Sequence, residues 1–256
     1  MVEMNVATVP RSVRLVDAAP ELFAELDANA RALARRHAVA SVVELPPGRW
    51  SSPPDIQRAP GHLGLLILDG FMVRDVHLDE TIASELVGPG DLLRPIDYDG
   101  DEAPVPFDVD WNVLAPTRLA VLDRNVAAVL GHWPELVEAL VRRGIRRAHS
   151  LGVHLAVCHM RRVEPRLLVL MWHLADRWGK VTADGVHVPL RLTHQTLAGL
   201  VGAQRPTVTM ALKSLAARDL VVRRNDGSWL LHGDPPDALE QIRARPKARC
   251  GEQRAS

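Results

Sequence analysis

Two amphipathic segments separated by a short turn near the C-terminus constrain the fold more than any other feature of the sequence. Thr193 is placed to cap a first helix over 194–201, and Gly202 fits the left-handed position of a turn. A second helix is predicted from Arg205 to about Arg218. Its buried stripe is formed by Val208, Leu212 and Leu215. An eight-residue helix, a three-residue turn and a second amphipathic helix have helix-turn-helix spacing, and the alternative is a three-helix structural domain with a polar face.

A helix and two hairpins are predicted around this motif. Residues 166–178 have apolar positions at helical spacing, and Gly179 follows where a left-handed C-terminal cap belongs. The alternating residues 181–192 predict a short hairpin ahead of the motif. After the motif, residues 220–231 flank an Asn-Asp-Gly sequence at 225–227 that is typical of a type I′ hairpin turn. These elements predict a winged helix-turn-helix domain.

The net charge of zero conceals two oppositely charged halves. Residues 1–132 contain eleven arginines and no lysine against twenty acids, a net charge of −9. Residues 133–256 contain twenty lysines and arginines against eleven acids, a net charge of +9. A basic half indicates an anionic partner, which the acidic half would repel. We therefore expect nucleic acid to bind to the C-terminal half only.

The outward-facing residues of the second predicted helix have the chemistry needed to read double-stranded DNA. Arg205 can donate as a fork to guanine O6 and N7, Met210 can contact a thymine methyl, and Lys213 suits a phosphate. Pro206 is tolerated because an N–H in the first helical turn has no intrahelical partner. Further candidates for contacts to bases or phosphates are Thr209, Arg223 and Arg224.

The N-terminal half has the pattern of an all-antiparallel β-structure. Over residues 63–123, short apolar runs alternate with turn signals, which predicts a sandwich or roll. Residues 21–40 are rich in Ala and Leu and are predicted to be helical, followed by a strand at 41–45. Residues 96–110 contain six acids and two prolines. Because Gly100 falls too early for an EF-hand and no Glu closes the loop, a solvated acidic loop is favoured over a calcium site.

A long helix is predicted between the two halves. It begins at Pro134 and runs to about Arg162, where Glu164-Pro165 breaks it. At 1.5 Å per residue its length is roughly 40 Å, more than a small domain needs, so we expect it to pack against a second copy of the chain in a homodimer. The predicted dimer-interface stripe consists of Leu136, Leu140, Ile145, Ala148, Leu151, Leu155 and Cys158. Four arginines lie off this stripe and are expected to form a solvated face: Arg142, Arg143, Arg146 and Arg147.

A cluster at the end of the long helix leaves two interpretations open. His154 and Cys158 are one turn apart and His159 is adjacent, which is compatible with a metal or haem ligand pair. Because no third ligand can be identified from the sequence, neutral dimer-interface residues are favoured.

Several classes of protein are excluded by what the sequence lacks. No apolar run approaches a membrane span, and residues 1–14 have no basic start followed by an apolar core. Two cysteines fit a reducing compartment. No Ser/His/Asp order, phosphate-binding loop or deaminase signature is present. We therefore expect a cytoplasmic protein that is not an enzyme, has no membrane contact and holds no cofactor.

The order of elements and two sequence segments resemble the Crp/Fnr superfamily of bacterial transcription regulators. The segments are RLLVLMWHLADRWG at 166–179 and LTHQTLAGLVGAQRPTVT at 192–209. The resemblance implies an α+β fold with an N-terminal antiparallel β-roll like a cyclic-nucleotide-binding domain, a long dimerisation helix and a C-terminal winged helix-turn-helix. It also implies a homodimer that places two recognition helices in successive major grooves of a near-palindromic site.

The resemblance assigns roles to particular parts of the chain. The expected domains are a sensor-like β-roll at 1–132, the dimerisation helix at 133–163, the winged helix-turn-helix at 164–233 and a mobile basic tail at 234–256. The candidate DNA-binding residues are Thr193, Gln195, Arg205, Pro206, Thr207, Thr209, Met210, Lys213, Arg223 and Arg224. The expected partners are double-stranded DNA, a second copy of the chain, RNA polymerase and an unidentified small-molecule effector.

The sensor half departs from the cyclic-nucleotide binders of this family. Those proteins carry a Gly-Glu pair for the ribose and an Arg-Ser pair for the cyclic phosphate. Here Gly90-Asp91 is followed by Leu92-Leu93-Arg94-Pro95, and Asp108 to Trp111 stands in place of Arg-Ser. Acids repel phosphate, so we expect no cyclic AMP binding. The alternative function is a small-molecule or metal sensor that signals through protein contacts. The family also often has an acid where Pro206 stands, which leaves the base preference there open.

Overall fold

The chain folds into two compact units. A computed structural model describes residues 11–51, 60–94, 105 and 107–235. The units comprise Met1–Val153 and His154–Ser256, so their boundary falls inside the long helix. Most of the predicted tail at 234–256 and most of the acidic loop at 96–110 lie outside the described residues. No helix of the described part is long and apolar enough to cross a membrane.

The first unit combines short helices with two antiparallel sheets. Its helices are α1 (Leu15–Ala18), α2 (Ala28–His37), α3 (Arg124–Leu130) and the start of the long helix α4 (Pro134–Cys158), with a 3-10 helix at Pro20–Phe23. Its strands are β1 (Arg11–Arg14), β2 (Val39–Leu45), β3 (Gly48–Trp50), β4 (Gly64–Asp69), β5 (Met72–Leu78), β6 (Thr81–Val87), β7 (Leu92–Leu93), β8 (Asp108–Val113) and β9 (Thr117–Leu122). One sheet has the order β1-β2-β9-β4-β7 and the other β3-β8-β5-β6. The predicted antiparallel roll is confirmed.

Strand β4 explains why the core of this unit has two parts. Leu65 and Ile67 face the interior between the sheets, where Trp111 of β8 also packs. Leu66 points to the opposite face and packs among residues of the helices, including Phe23. A strand buried on both faces has a continuous apolar sequence, as residues 64–68 do.

The helix predicted over 21–40 is divided in two. The chain forms a 3-10 turn first, and α2 starts only after Asp27, whose carboxylate accepts a hydrogen bond from Ala30 N at 2.8 Å. Arg31 then donates to the carbonyl oxygens of Phe23, Ala24 and Leu26, which holds the break in place. The strand predicted from residue 41 begins two residues earlier, at Val39.

Two of the four arginines expected on a solvated face of α4 contact the β-roll and the short helices, Arg143 buried and Arg147 partly buried. Arg143 donates to Gly90 O at 2.7 Å and to Glu21 at 3.0 Å. Arg147 binds both carboxylate oxygens of Glu85, at 2.7 and 2.8 Å. Helical periodicity places these side chains off the apolar stripe, but it does not show that this face of the helix covers the β-roll. The solvated-face prediction is therefore wrong for Arg143 and Arg147.

The second unit is a winged helix-turn-helix, as predicted. It contains the end of α4 and the helices α5 (Val163–Trp178), α6 (His194–Val201) and α7 (Arg205–Ala217). A sheet of order β10-β11-β13-β12 is formed by β10 (Lys180–Thr182), β11 (Gly185–Val188), β12 (Val221–Arg223) and β13 (Trp229–Leu231). The α+β fold class follows from both units together.

Three local predictions differ from the structure. Helix α4 ends at Cys158 and not near Arg162, and Pro165 lies in the first turn of α5. Gly179 is extended, with φ −73° and ψ 159°, and not left-handed. A Cβ at this position would come within 2.5 Å of Ala175 O, so close packing explains the glycine.

The turn of the wing also differs in type from the prediction. A type I′ turn needs a positive φ at both central residues. Among the described non-glycine residues only Asp79 and Asp219 have a positive φ, whereas Gly227 has φ 85°. Gly227 N donates to Arg224 O at 3.0 Å, so a type I turn is followed by a left-handed glycine.

Candidate nucleic-acid interface

The helix-turn-helix is built by local capping and by one apolar face. Thr193 Oγ1 accepts a hydrogen bond from Thr196 N at 3.0 Å and caps α6. Gly202 ends α6 in the left-handed region, with φ 60°. The stripe on α7 is buried as predicted and comprises Val208, Ala211, Leu212 and Leu215. This packing directs the other face of α7 outward.

The outward face of α7 carries most of the predicted DNA-binding residues. The exposed residues are Arg205, Pro206, Thr207, Met210 and Lys213. Met210 is 66% exposed, so its side chain is accessible on this face. Thr193 and Gln195, at the start of α6, are also exposed. The structure thus brings a fork-shaped cation, an apolar side chain and a flexible cation onto one helix face.

Thr209 is the exception on α7, because its hydroxyl has partners inside the motif. It is partly buried, donates to Arg205 O at 3.0 Å and lies 2.9 Å from His194 Nδ1. Since the hydroxyl proton goes to the carbonyl, His194 Nδ1 donates to Thr209 Oγ1. This pair joins the starts of α6 and α7.

His194 was missed by sequence reasoning and belongs to the basic surface. Burial lowers its pKa, and the positive charges of Arg223 and Arg205 lower it further. The histidine therefore lies near an arginine of the recognition helix and an arginine of the wing. Its position directly after the cap Thr193 was the available signal, but the pairing with Thr209 depends on how the two helices cross.

The wing carries its cations on a rigid hairpin. Arg223 and Arg224 are exposed, and the Arg223 guanidinium lies 5.7 Å from the centre of the buried Trp229 ring. Asp226 accepts hydrogen bonds from Ser228 Oγ at 2.6 Å and from Ser228 N at 2.9 Å. These bonds lower the pKa of Asp226, so the turn stays closed while its carboxylate is ionised.

His154 and Cys158 have hydrogen-bonding roles in the structure. His154 Nε2 and Cys158 Sγ both contact Leu200 O, the sulfur at 3.4 Å. Burial raises the pKa of Cys158, while the charge of Arg166 acts in the opposite direction. His159 is exposed. Within the described residues, no three His, Cys, Asp or Glu side chains form a group that could hold a metal.

Two residues assigned to the dimer interface are buried in their own chain. Leu136 and Leu140 are 0% and 8% exposed and belong to the core formed with the short helices. A side chain covered by its own chain cannot contact a partner, so their assignment to the interface is wrong. The exposed apolar residues lie one position later, at Val137 and Val141.

The exposed side of α4 has the spacing of a coiled-coil seam. Six exposed residues recur along α4 at alternating spacings of four and three. We call them the exposed stripe: Val137, Val141, Gly144, Ala148, Leu151 and Leu155. Ile145 is exposed beside the stripe, and Cys158 is half-buried at its end. A Cβ added at Gly144 or at Gly152 would meet no atom within 4 Å. All residues of the predicted dimer interface other than Leu136 and Leu140 are thus at least partly exposed in the single chain and remain available to a second copy.

The acids at β8 lie where they do not line the interior of the roll. Asp108 and Asp110 are exposed, and Asp110 lies 3.4 Å from Arg49 and 3.3 Å from His77. The inward residues of this strand are Val109, Trp111 and Val113. These two carboxylates therefore cannot repel a cyclic phosphate bound inside the roll. The expectation that cyclic nucleotides do not bind loses this support.

Comparison with known proteins finds a family match for the C-terminal domain and relatives for a longer part of the chain. Residues 165–242 match the model of the Crp-like helix-turn-helix domain. Over 151 residues the chain is 32% identical to the regulatory protein CysR of Synechococcus elongatus, covering 57% of the chain and 64% of the relative. It is 28% identical to the CRP-like cAMP-activated global transcriptional regulator of Mycobacterium tuberculosis, covering 58% and 65%. The chain thus spans slightly less than two thirds of the curated relatives it matches.

Solved structures share the fold. A cyclic nucleotide-binding domain containing protein from Listeria monocytogenes superposes with a TM-score of 0.59 at 13% identity, over 85% of this chain and 97% of that one. FixK2 from Bradyrhizobium japonicum gives a TM-score of 0.58 at 12% identity, over 79% and 96%. The matched relatives are regulators by name, in agreement with the expectation that the chain is not an enzyme. Residues 165–242 therefore form a Crp-like helix-turn-helix domain, and the order of β-roll, long helix and winged helix-turn-helix is similar to the fold of these solved structures.

Proposed function

We propose that this protein is a sequence-specific DNA-binding transcription regulator that acts as a homodimer on a near-palindromic site. The observation that carries the proposal is the outward face of α7, where Arg205, Met210 and Lys213 are exposed together. A helix held by its buried stripe can enter the major groove with this face toward the bases. Arg223 and Arg224 of the wing supply positive charge for the flanking phosphates.

The exposed stripe of α4 supports the homodimer. Its heptad spacing and its open glycine positions suit close packing against the same face of a second copy. A two-fold symmetric dimer presents two recognition helices, and a near-palindromic operator matches that symmetry. RNA polymerase and a small-molecule effector remain predictions that rest on the resemblance.

Substitution of two residues on α7 tests how DNA is read. Arg205→Ala should cost about 1 to 3 kcal/mol on the preferred site and relax the preference at one base pair per half-site, because a fork to guanine is lost. Lys213→Ala should weaken all sequences alike and lower the salt slope by about one per recognition helix. Affinities are measured for a site selected from random DNA and for its single-base variants at several salt concentrations.

The two variants serve as matched controls, since each removes one exposed cation from the same helix. Equal loss of affinity for every sequence in Arg205→Ala would make Arg205 a phosphate contact, and Met210 would become the main candidate for base reading. Absence of any saturable DNA binding by the unmodified protein would contradict the proposed function and favour a sensor that signals through protein contacts.

DNA binding should also depend on pH through His194. The neighbouring arginines and burial hold its pKa below the ordinary value of 6.5, so the free protein has a neutral imidazole at neutral pH. A DNA phosphate beside the three groups would stabilise the charged form and raise this pKa in the complex. The complex then binds more protons than the free protein, so affinity should rise as the pH falls, by at most about tenfold per pH unit for each proton taken up.

Titration of affinity between about pH 8 and about pH 6 checks this expectation. His194→Gln keeps a hydrogen-bonding side chain without a titrating group, and it should flatten the pH profile. An equally steep profile in His194→Gln would show that another group takes up the proton.

We further propose that cyclic nucleotides are not the effector. One ground is the absence of the Arg-Ser pair from the sequence. The other is that Arg143 and Arg147, the arginines near the turn at Gly90, already bind protein acceptors. A cyclic phosphate would have to displace these bonds. Calorimetry with cyclic AMP and cyclic GMP should show no saturable heat. Micromolar binding would overturn the proposal and align this chain with its cAMP-activated relative.

A further inference from the structure

The C-terminal end of α6 is bound by side chains from outside the helix-turn-helix. The last carbonyl groups of any helix lack intrahelical partners and need donors from elsewhere. The turn itself supplies donors for the earlier ones, since Gly202 N and Ala203 N both bond to Ala198 O. The carbonyls of Leu200, Val201 and Gly202 instead accept hydrogen bonds from side chains outside the helix-turn-helix.

One pair of donors comes from the last turn of α4. His154 Nε2 and Cys158 Sγ converge on Leu200 O. Because a carbonyl oxygen only accepts, His154 must carry a proton on Nε2 and Cys158 must be a thiol. Burial, which raises the pKa of Cys158, favours the thiol.

The other donor is Arg166, in the first turn of α5. Its Nη1 donates to Val201 O at 2.6 Å and to Gly202 O at 3.3 Å. Its Nε donates to Met160 O at 3.1 Å, and its Nη2 also bonds to Met160 O. One planar guanidinium therefore connects the segment after α4 to the turn between α6 and α7. Lysine has no such fork and could not make these bonds together.

We propose that His154, Cys158 and Arg166 form a clamp that fixes the turn of the helix-turn-helix to the end of α4, with Arg166 as a positioning residue for DNA reading. The inference rests on the proposed function. In a dimer joined through α4, this clamp would determine the distance and angle between the two recognition helices. Loss of the clamp would let each recognition helix move, so part of the binding energy would be spent on ordering it.

Arg166→Lys tests the clamp with the charge retained. Its affinity for the selected palindromic site should fall about tenfold because preorganisation is lost. The distinguishing measurement uses operators whose half-sites are moved one base pair apart or together. The unmodified protein should discriminate strongly against them, whereas Arg166→Lys should discriminate less. A residue with a purely structural or electrostatic role would lower affinity for all spacings by the same factor.

Two controls complete the test. Arg161→Lys changes an exposed neighbouring arginine and should leave both affinity and spacing discrimination unchanged. Cys158→Ser keeps a donor toward Leu200 O, so its affinity and spacing discrimination should equal those of the unmodified protein. Cys158→Val removes the donor, so both quantities should change in the same direction as in Arg166→Lys. Spacing discrimination equal to that of the unmodified protein in Arg166→Lys would overturn the clamp.

Hydrogen exchange measures the clamp without DNA. Amide exchange over residues 198–204 should be faster in Arg166→Lys than in Arg161→Lys. If the unmodified protein bound no DNA, the proposed function would be wrong. The exchange measurement would still show whether the clamp exists, because it needs no DNA. Unchanged exchange in Arg166→Lys would reject it.

Discussion

Val141→Asp is expected to convert the proposed homodimer into monomers. Affinity for a palindromic site should fall by about 10²- to 10⁴-fold, since the second half-site is no longer held at high effective concentration. Val141 is 57% exposed in the single chain and belongs to the exposed stripe. In a two-fold symmetric seam, one substitution places two like charges in apolar surroundings without partners. Sedimentation velocity over a range of protein concentrations gives the oligomeric state directly.

The neighbouring position provides the contrast. Leu140 is buried in the core of its own chain, so Leu140→Asp should unfold the first unit and not simply dissociate the dimer. Arg146→Asp changes an exposed residue of the same helix outside the stripe and should leave a folded dimer. A folded dimer that persisted in Val141→Asp would show that the chains associate through another surface.

The second large effect is expected at the ion pair between α4 and the β-roll. Glu85→Ala should lower the free energy of unfolding by about 3 kcal/mol, because it leaves a partly buried cation without its counter-ion. Arg147 binds Glu85 with two hydrogen bonds and also donates to Leu92 O at 3.2 Å, and Arg74 lies 3.7 Å from the same carboxylate. Burial alone would lower the pKa of Arg147, yet the bonds and charge of Glu85 raise it, which shows how strongly its cation depends on this partner.

Urea unfolding monitored by circular dichroism measures this loss. The matched control is Glu138→Ala, which removes another glutamate paired with an arginine of α4. Both side chains of that pair are exposed, at 48% and 68%, so its removal should not shift the unfolding midpoint measurably. Equal stability of Glu85→Ala and Glu138→Ala would mean that the pair at β6 adds no net stabilisation.

The winged helix-turn-helix could be predicted from sequence because its signals are local. The cap at Thr193, the left-handed Gly202 and the buried stripe on α7 each depend on residues a few positions apart. The hydrogen bond from His194 to Thr209 joins two helices through their crossing, and no spacing rule indicates it. Sequence reasoning therefore located the helix-turn-helix and the exposed face of α7, but not the contact between His194 and Thr209.

The long helix shows the limit of periodicity most clearly. Its sequence contains two apolar faces one residue apart, one including Leu140 and the other including Val141. Spacing identifies both, but only the tertiary structure shows that the first is covered by the short helices and the β-roll. The same ambiguity placed Arg147 on a solvated face, although its partner Glu85 is distant in sequence and invisible to helical patterns.

Gly144 and Gly152 link the stability of the long helix to the proposed self-association. Each glycine in a helix interior costs about 1 kcal/mol relative to alanine, and neither position is filled by a neighbouring side chain in the single chain. In the proposed homodimer, contacts from a second copy along the exposed stripe would offset part of this cost. Helix stability and self-association would then be linked, so the free energy of unfolding should rise with protein concentration.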